Sequence, residues 1–388
     1  VNIKLKFLIV FVLSVAIFNC SDEPTSIGGN LLDDDIINLK TITSVDDTLT
    51  QSSSYFHRKV SLGSADRLMI GKSDDDINAS ILIKFQTALP DSIAEDIRNN
   101  NITVNSAVLQ LNQVYRFGEE SAPFDFTIHK VTSDWALDFT ADSALSYELD
   151  DLTITKEIND SITTVTIDNQ LVFGWLQISA DTSLPDDKGL YLKPAEGTQK
   201  VLGYQALTSS FVDFPVVSVV IEKPGAYIDT INFVTTSDVG VIEGNLPDVS
   251  NENIPLRSGF VINSKLVFDV SKVPENVIVN NAELILTLDT LESKFGTSFT
   301  NSVQTFFLFD STNTDSLSSV TVSLGRSGNQ FVGNITTFVR QWVLDNNQGV
   351  LLTTGSPFSG VELFSIKGSN AANISERPLL KITYTELK

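Results

Sequence analysis

Thr103-Val104-Asn105-Ser106-Ala107-Val108-Leu109-Gln110-Leu111 comes back later in the chain as Ile278-Val279-Asn280-Asn281-Ala282-Glu283-Leu284-Ile285-Leu286. Both runs alternate toward their ends, the period of a strand with one face on a core. Other pairs follow the same order. Ile83-Lys84-Phe85 with Leu89-Pro90 answers Leu266-Val267-Phe268 with Val273-Pro274, and Leu171-Val172 with Trp175 answers Phe338-Val339 with Trp342. Gly189-Leu190-Tyr191-Leu192 answers Gly349-Val350-Leu351-Leu352, and Phe214-Pro215-Val216-Val217 answers Arg377-Pro378-Leu379-Leu380. An ordered set repeating at about 165 residues is too widely spaced for a solenoid and describes a duplicated domain. The boundary is expected at Lys223-Pro224-Gly225, where a strand ends in turn residues. This predicts a first domain over 41–223 and a second over 224–388.

Between the repeated segments lie more short β-branched runs, such as Ile81 to Phe85 and Val216 to Ile221, punctuated by Asn, Asp, Ser and Gly. That pattern predicts an all-β chain of sandwiches or barrels. Each copy also predicts one short helix. In the second, Asn334 or Thr336 caps a turn whose Ile335, Phe338, Val339 and Trp342 share one face; in the first, Asp168 caps Leu171, Val172 and Trp175. On this spacing each tryptophan plugs its own sandwich.

Composition narrows the function. Hydrophobic residues make up 42%, enough for sizeable cores. The 48 acidic residues against 26 basic ones leave a net charge of −22, which repels nucleic acid. The histidines, His57 and His129, and the single cysteine, Cys20, leave little material for a zinc site or a catalytic triad. His129 sits in an alternating run and reads as a solvent-facing strand residue.

Cys20 follows Lys4, Lys6 and an apolar stretch from Phe7 to Phe18, and precedes Ser21-Asp22-Glu23. The apolar run is shorter than the ~20 residues of a membrane span and fits the apolar region of a secretory signal. The expectation is a lipoprotein signal peptide over 1–19, lipid on Cys20, and an acidic tether over 20–40. The protein would then sit on the outer membrane, facing the cell surface.

The repeated segments resemble the DNRLRE-type domain, a β-sandwich module of secreted bacterial and archaeal proteins. The first copy carries the resemblance in Leu68-Met69-Ile70-Gly71, Ile83-Lys84-Phe85, Ser106-Ala107-Val108-Leu109, Phe126 to Trp135, Trp175, Gly189-Leu190 and Pro215. The second carries it in Phe268, Asn281-Ala282-Glu283-Leu284, Phe306 to Phe309, Trp342, Gly349-Val350 and Arg377 to Tyr384. Phe214 stands where the pattern has arginine, and the second copy has no counterpart of Trp135. The resemblance implies tandem jelly-roll-like sandwiches and carbohydrate binding.

Candidate stacking residues for a sugar are Tyr115, Trp135, Tyr191 and Tyr204, with Phe117 beside them. The acidic runs Asp74-Asp75-Asp76, Asp150-Asp151 and Asp186-Asp187 are the candidates for structural calcium, Asp74, Asp75 and Asp76 foremost. None has the spacing of a calcium loop, and Asp beside a strand end forms turns, which is the preferred reading. No other cofactor is expected. The expected function is noncatalytic binding of an extracellular polysaccharide. The alternatives are an adhesion or envelope-assembly protein with protein partners, and a polysaccharide-degrading enzyme with a pair of facing carboxylates.

Overall fold

In the computed structural model the described residues are 38–46, 49–74, 77–208, 213–312, 317–344 and 347–386. The signal peptide, Cys20, all but the last residues of the tether, and Asp75 and Asp76 lie outside them. The chain is all-β, as expected, and builds two large curled antiparallel sheets.

One sheet holds β3 (Arg67–Ser73), β4 (Ile77–Gln86), β5 (Thr103–Phe117), β6 (Phe126–Lys130), β7 (Thr153–Ile158), β8 (Ile162–Ile167), β9 (Leu190–Pro194), β10 (Val201–Gln205), β11 (Val216–Lys223) and β12 (Tyr227–Glu243). The other holds β1 (Asn38–Thr43), β2 (Gln51–His57), β13 (Asn253–Arg257), β14 (Ile262–Phe268), β15 (Val277–Thr287), β16 (Ser302–Phe307), β17 (Thr321–Ser327), β18 (Gln330–Asn334), β19 (Val350–Thr354), β20 (Leu363–Lys367) and β21 (Leu379–Glu386). Each closes over its own apolar core. Leu109, Phe126, Val219 and Phe233 belong to the first core, and Leu284, Phe331, Phe364 and Ile382 to the second.

The duplication is visible bond by bond. Ala107 lies opposite Val219 in the first sheet, and Ala282 opposite Ile382 in the second. Both ladders then slip by one residue, leaving Asn105 and Asn280 unpaired in equivalent bulges. Each bulge asparagine donates its side-chain amide across the ladder, to Glu222 at 2.8 Å and to Thr385 at 2.7 Å. Gly189 and Gly349 match as well, with φ of 87° and 89°. A Cβ there would stand 2.3 Å from the Ile83 carbonyl oxygen and 2.4 Å from that of Leu266, so both turns need glycine.

The boundary does not fall where the turn residues put it. Lys223 pairs with Tyr227 across a tight hairpin, and β12 continues the first sheet, between β11 and β4. The second sheet takes its matching strand from the N-terminus, because β1 pairs with β21 and β2 with β14. Residues 41–57 therefore belong to the second sandwich and 227–243 to the first. Turn chemistry signals where a strand stops; it says nothing about which edge the next strand joins.

The helices follow their sequence signals, with one addition. In α2 (Asn169–Ala180), Asp168 accepts the N–H groups of Gln170 and Leu171 at 2.8 and 2.9 Å. In α3 (Thr336–Val343) the N-cap position is Ile335, which has no side-chain cap bond, and neither expected residue occupies it; Asn334, one residue earlier, accepts the Thr336 N–H at 3.0 Å. Trp175 and Trp342 are buried as plugs against Phe85 and Phe268. The first unit has a second helix that was not expected, α1 (Asp91–Arg98), which buries Ile93, Ala94 and Ile97. Arg98 donates to the Ala180 carbonyl at 2.6 Å, placing a cation at the C-terminus of α2.

At the end of β15, Asp289 ties the second sheet together. Burial acts to raise its carboxyl, but Lys367, 3.0 Å away, Asn253 and the N–H groups of Leu291 and Glu292 outweigh that and hold it at about 2. A depressed carboxyl stabilises above its unfolded pKa, and the contribution is lost as pH falls through the folded value. Asp289→Asn is expected to cost about 1–2 kcal/mol at pH 7. The gap to wild type should close near pH 2, measured by urea unfolding at both pH values.

Candidate functional site

The sequence candidates separate into different places. Tyr204 is fully buried in the first core, and its hydroxyl pairs with Thr163 at 2.8 Å. Burial pushes its pKa far above the ordinary value, with no face left for a ligand. Tyr115 is 1% exposed and lies between the sandwiches. Both are corrections: a large aromatic ring on a strand is drawn into apolar contacts, and here the core and the seam take it.

Tyr115 belongs to the seam. It joins Met69, Phe117, Val201, Ile242 and Val361 in a cluster drawn from both units. Its hydroxyl accepts the Val361 N–H at 3.2 Å, and burial and the neighbouring Glu362 carboxylate push its pKa up. Arg67 crosses to the Ser298 and Ser359 carbonyls at 2.7 and 2.9 Å. Thr297 and Arg116 exchange two further bonds, at 2.8 and 3.0 Å. Gly296 lies on the Tyr115 ring, where a Cβ would come within 2.2 Å of it.

Trp135 is also mostly buried, and it acts as an anchor. Its indole N–H donates to the Lys188 carbonyl at 2.7 Å, and the Lys84 ammonium lies 4.4 Å from its ring centroid. With Val131 and Phe139 it covers Leu82, Val239 and Val241 on the outer face of the first sheet. The loop after β6 is thereby held against the sheet. Tyr191, half-buried, completes a row with Tyr147 and His129, the ring centroids 5.0 and 5.3 Å apart.

His129 is buried, not solvent-facing as its alternation suggested. Its Nδ1 faces the Asp150 carbonyl at 3.1 Å and so carries the proton, leaving Nε2 to accept from Thr127 at 2.8 Å. Asp74 occupies the turn after β3. Among the described residues no group of three or more His, Cys, Asp or Glu is placed to share a metal ion.

One concavity is formed by residues the sequence did not point to: a cleft of about 300 Å³ on the seam. From the second sandwich come His57 at the end of β2, Lys59 just beyond it, and Phe260 in the turn between β13 and β14. Gly240, Ile242 and Glu243 of β12, Gly244 just beyond it, and Thr140 to Asp142 of the Trp135-anchored loop come from the first. His57 and Phe260 stack face to face, centroids 3.8 Å apart and planes within 8°. Tyr55, 39% exposed, lies two residues before His57 and so on the same face of β2.

The Lys59 ammonium bridges the seam to Asp142 at 2.5 Å, and Asn78 donates to Glu243 at 3.0 Å. Burial, then the nearby Lys59, lowers the His57 pKa below its ordinary value, so the ring is neutral at pH 7. The cleft thus offers an aromatic platform beside carboxylate and ammonium groups that bond hydroxyls. His57 was the one available signal, since the walls come from four segments far apart in the sequence. No family model, curated protein or solved structure matches the chain.

Proposed function

We propose that the protein is a noncatalytic surface lipoprotein that binds extracellular polysaccharide in the seam cleft. The observation that carries this reading is the stacked His57–Phe260 pair at a concave site flanked by Lys59, Asp142 and Glu243. A sugar ring presents an apolar face for stacking and a rim of hydroxyls for polar groups, the mixture found in small-molecule sites. The resemblance to DNRLRE-type modules points to the same ligand class. Asp142 and Glu243 both line the cleft, as a glycosidase pair would. Lys59, however, lowers the Asp142 carboxyl, the opposite of what a general acid needs.

A glycan array probed with residues 21–388 tests the reading. Phe260→Ala and His57→Ala are each expected to weaken binding to the best polysaccharide about tenfold, the size of one aromatic contact of ~1.4 kcal/mol. Far-UV circular dichroism should stay unchanged. Binding that survives both substitutions, or no bound polysaccharide at all, would refute it.

Localisation rests on Cys20, with lipid on its thiol holding the sandwiches at the outer membrane. Cys20→Ser is expected to move the protein from the membrane fraction to the soluble one and to abolish labelling by a fatty-acid analogue. Unchanged fractionation would exclude the anchor.

A further inference from the structure

The register fixes which strands are equivalent between the sandwiches. Ile231 of β12 lies opposite Val219, and Ile42 of β1 opposite Ile382, which is the equivalent position. Gly240 of β12 lies opposite Ile81, and Tyr55 of β2 opposite the equivalent Ser264. So β1 and β2 together are the counterpart of β12. In sequence, each of these leading segments directly precedes one repeat: β1 and β2 precede β3, and β12 precedes β13. In space, each joins the other repeat's sheet. The duplicated halves have exchanged their leading strands.

The two exchanged segments are held unequally. β12 is one continuous strand of 17 residues, its first half paired with β11 and its second half with β4, and it buries Ile231, Phe233, Val239, Val241 and Ile242. The counterpart is split into strands of six and seven residues, which pair with β21 and β14 as the two halves of β12 pair with β11 and β4. Among its described residues, Ile42 and Leu49 are its only buried apolar anchors. Its other ties are polar: Ser44 is buried against Pro378 and Leu380, at 3.0 and 2.9 Å, while Thr41 to Thr383 at 3.2 Å and Lys40 to Glu386 at 2.7 Å are exposed. A short, interrupted segment with few apolar anchors is the kind that leaves and rejoins a sheet.

We propose that residues 38–57 are an exchangeable complementing segment, and that the groove they fill between β21 and β14 accepts the same segment from a second copy of this chain. The occupant follows from the molecule itself. This groove already holds a strand from the other repeat, and swapping an identical element between copies creates no new type of contact. The joint would be residues 58–66, which lead from β2 to β3. The consequence reaches the cleft, because His57 travels with the segment. In an exchanged pair each cleft is completed by the partner copy. This inference stands independently of what the cleft binds.

Two cysteine variants of residues 21–388, which contain every described strand and lack Cys20, make the test. Thr41→Cys and Thr383→Cys stand directly opposite one another in the ladder. In one chain, the double substitution should oxidise to an internally closed monomer, which verifies that the segment is seated. In an equimolar mixture of the single variants, a disulfide-linked dimer should accumulate over days and increase with concentration. Thr41→Cys mixed with Ser218→Cys, an exposed site already paired with Asn232 in the first sheet, should give at least tenfold less. A mixture that stays monomeric while the double variant closes would overturn the proposal. So would equal dimer from the Ser218→Cys control, which would mean random collision.

Discussion

Division of the chain at the Lys223–Tyr227 hairpin is expected to give two halves, 41–223 and 224–388, neither of which unfolds cooperatively. The first half loses β12, which fills the gap between β11 and β4. Five buried apolar side chains go with it, at ~1.5–3 kcal/mol each. Their sum, about 8–15 kcal/mol, matches the whole stability of an ordinary domain. The second half keeps β12 with no sheet to join and lacks β1 and β2. Redrawing the fragment as 58–243 should restore a sigmoidal urea transition that 41–223 lacks. Cooperative unfolding of both 41–223 and 224–388, followed by circular dichroism, would show that the strand assignment is wrong.

The second large effect is expected at Tyr115. Tyr115→Ala removes a fully buried aromatic ring from the seam, a change that typically costs about 3–5 kcal/mol. Tyr115→Phe keeps the ring but leaves the Val361 N–H without its acceptor, at a cost of about 1–3 kcal/mol. The ordering matters as much as the size, since only the alanine variant should also loosen the seam around Gly296 and Arg67. Urea midpoints give the costs, and hydrogen exchange at 296–298 and 359–361 gives the loosening. An alanine variant within 1 kcal/mol of wild type would mean that the sandwiches are not joined through this residue.

Much of the fold can be read from the residues, because its signals are local. The bulge asparagines, the small residue before each inner strand, the paired glycines and the capped tryptophan helices all state their geometry within a few positions. Strand membership cannot be read this way. Residues 51–57, with three serines in a row, fall in the stretch read as the first domain, yet they form an edge of the distant second sandwich. Likewise Pro224-Gly225 marks a turn whether the chain leaves a sheet or folds back onto it.

The cleft was hidden for the same reason. Its walls are pieces of four segments, and no spacing rule links His57 to Phe260 or to Asp142. The aromatics that sequence did single out went elsewhere: Tyr204 to the first core, Tyr115 to the seam, Trp135 to the loop it fastens. Their bulk made them candidates and also explains their burial. Trp135 nevertheless bears on the site indirectly, because the loop it anchors carries Thr140 to Asp142.

The central claim is that the seam cleft is the binding site. The most direct measurement is hydrogen exchange by mass spectrometry of residues 21–388, with and without saturating amounts of the polysaccharide that binds best on the array. Protection is predicted in peptides covering 57–62, 140–142, 240–244 and 259–260, with the outer strands of both sheets unchanged. Protection elsewhere, with these four segments exchanging at their free rate, would contradict the account.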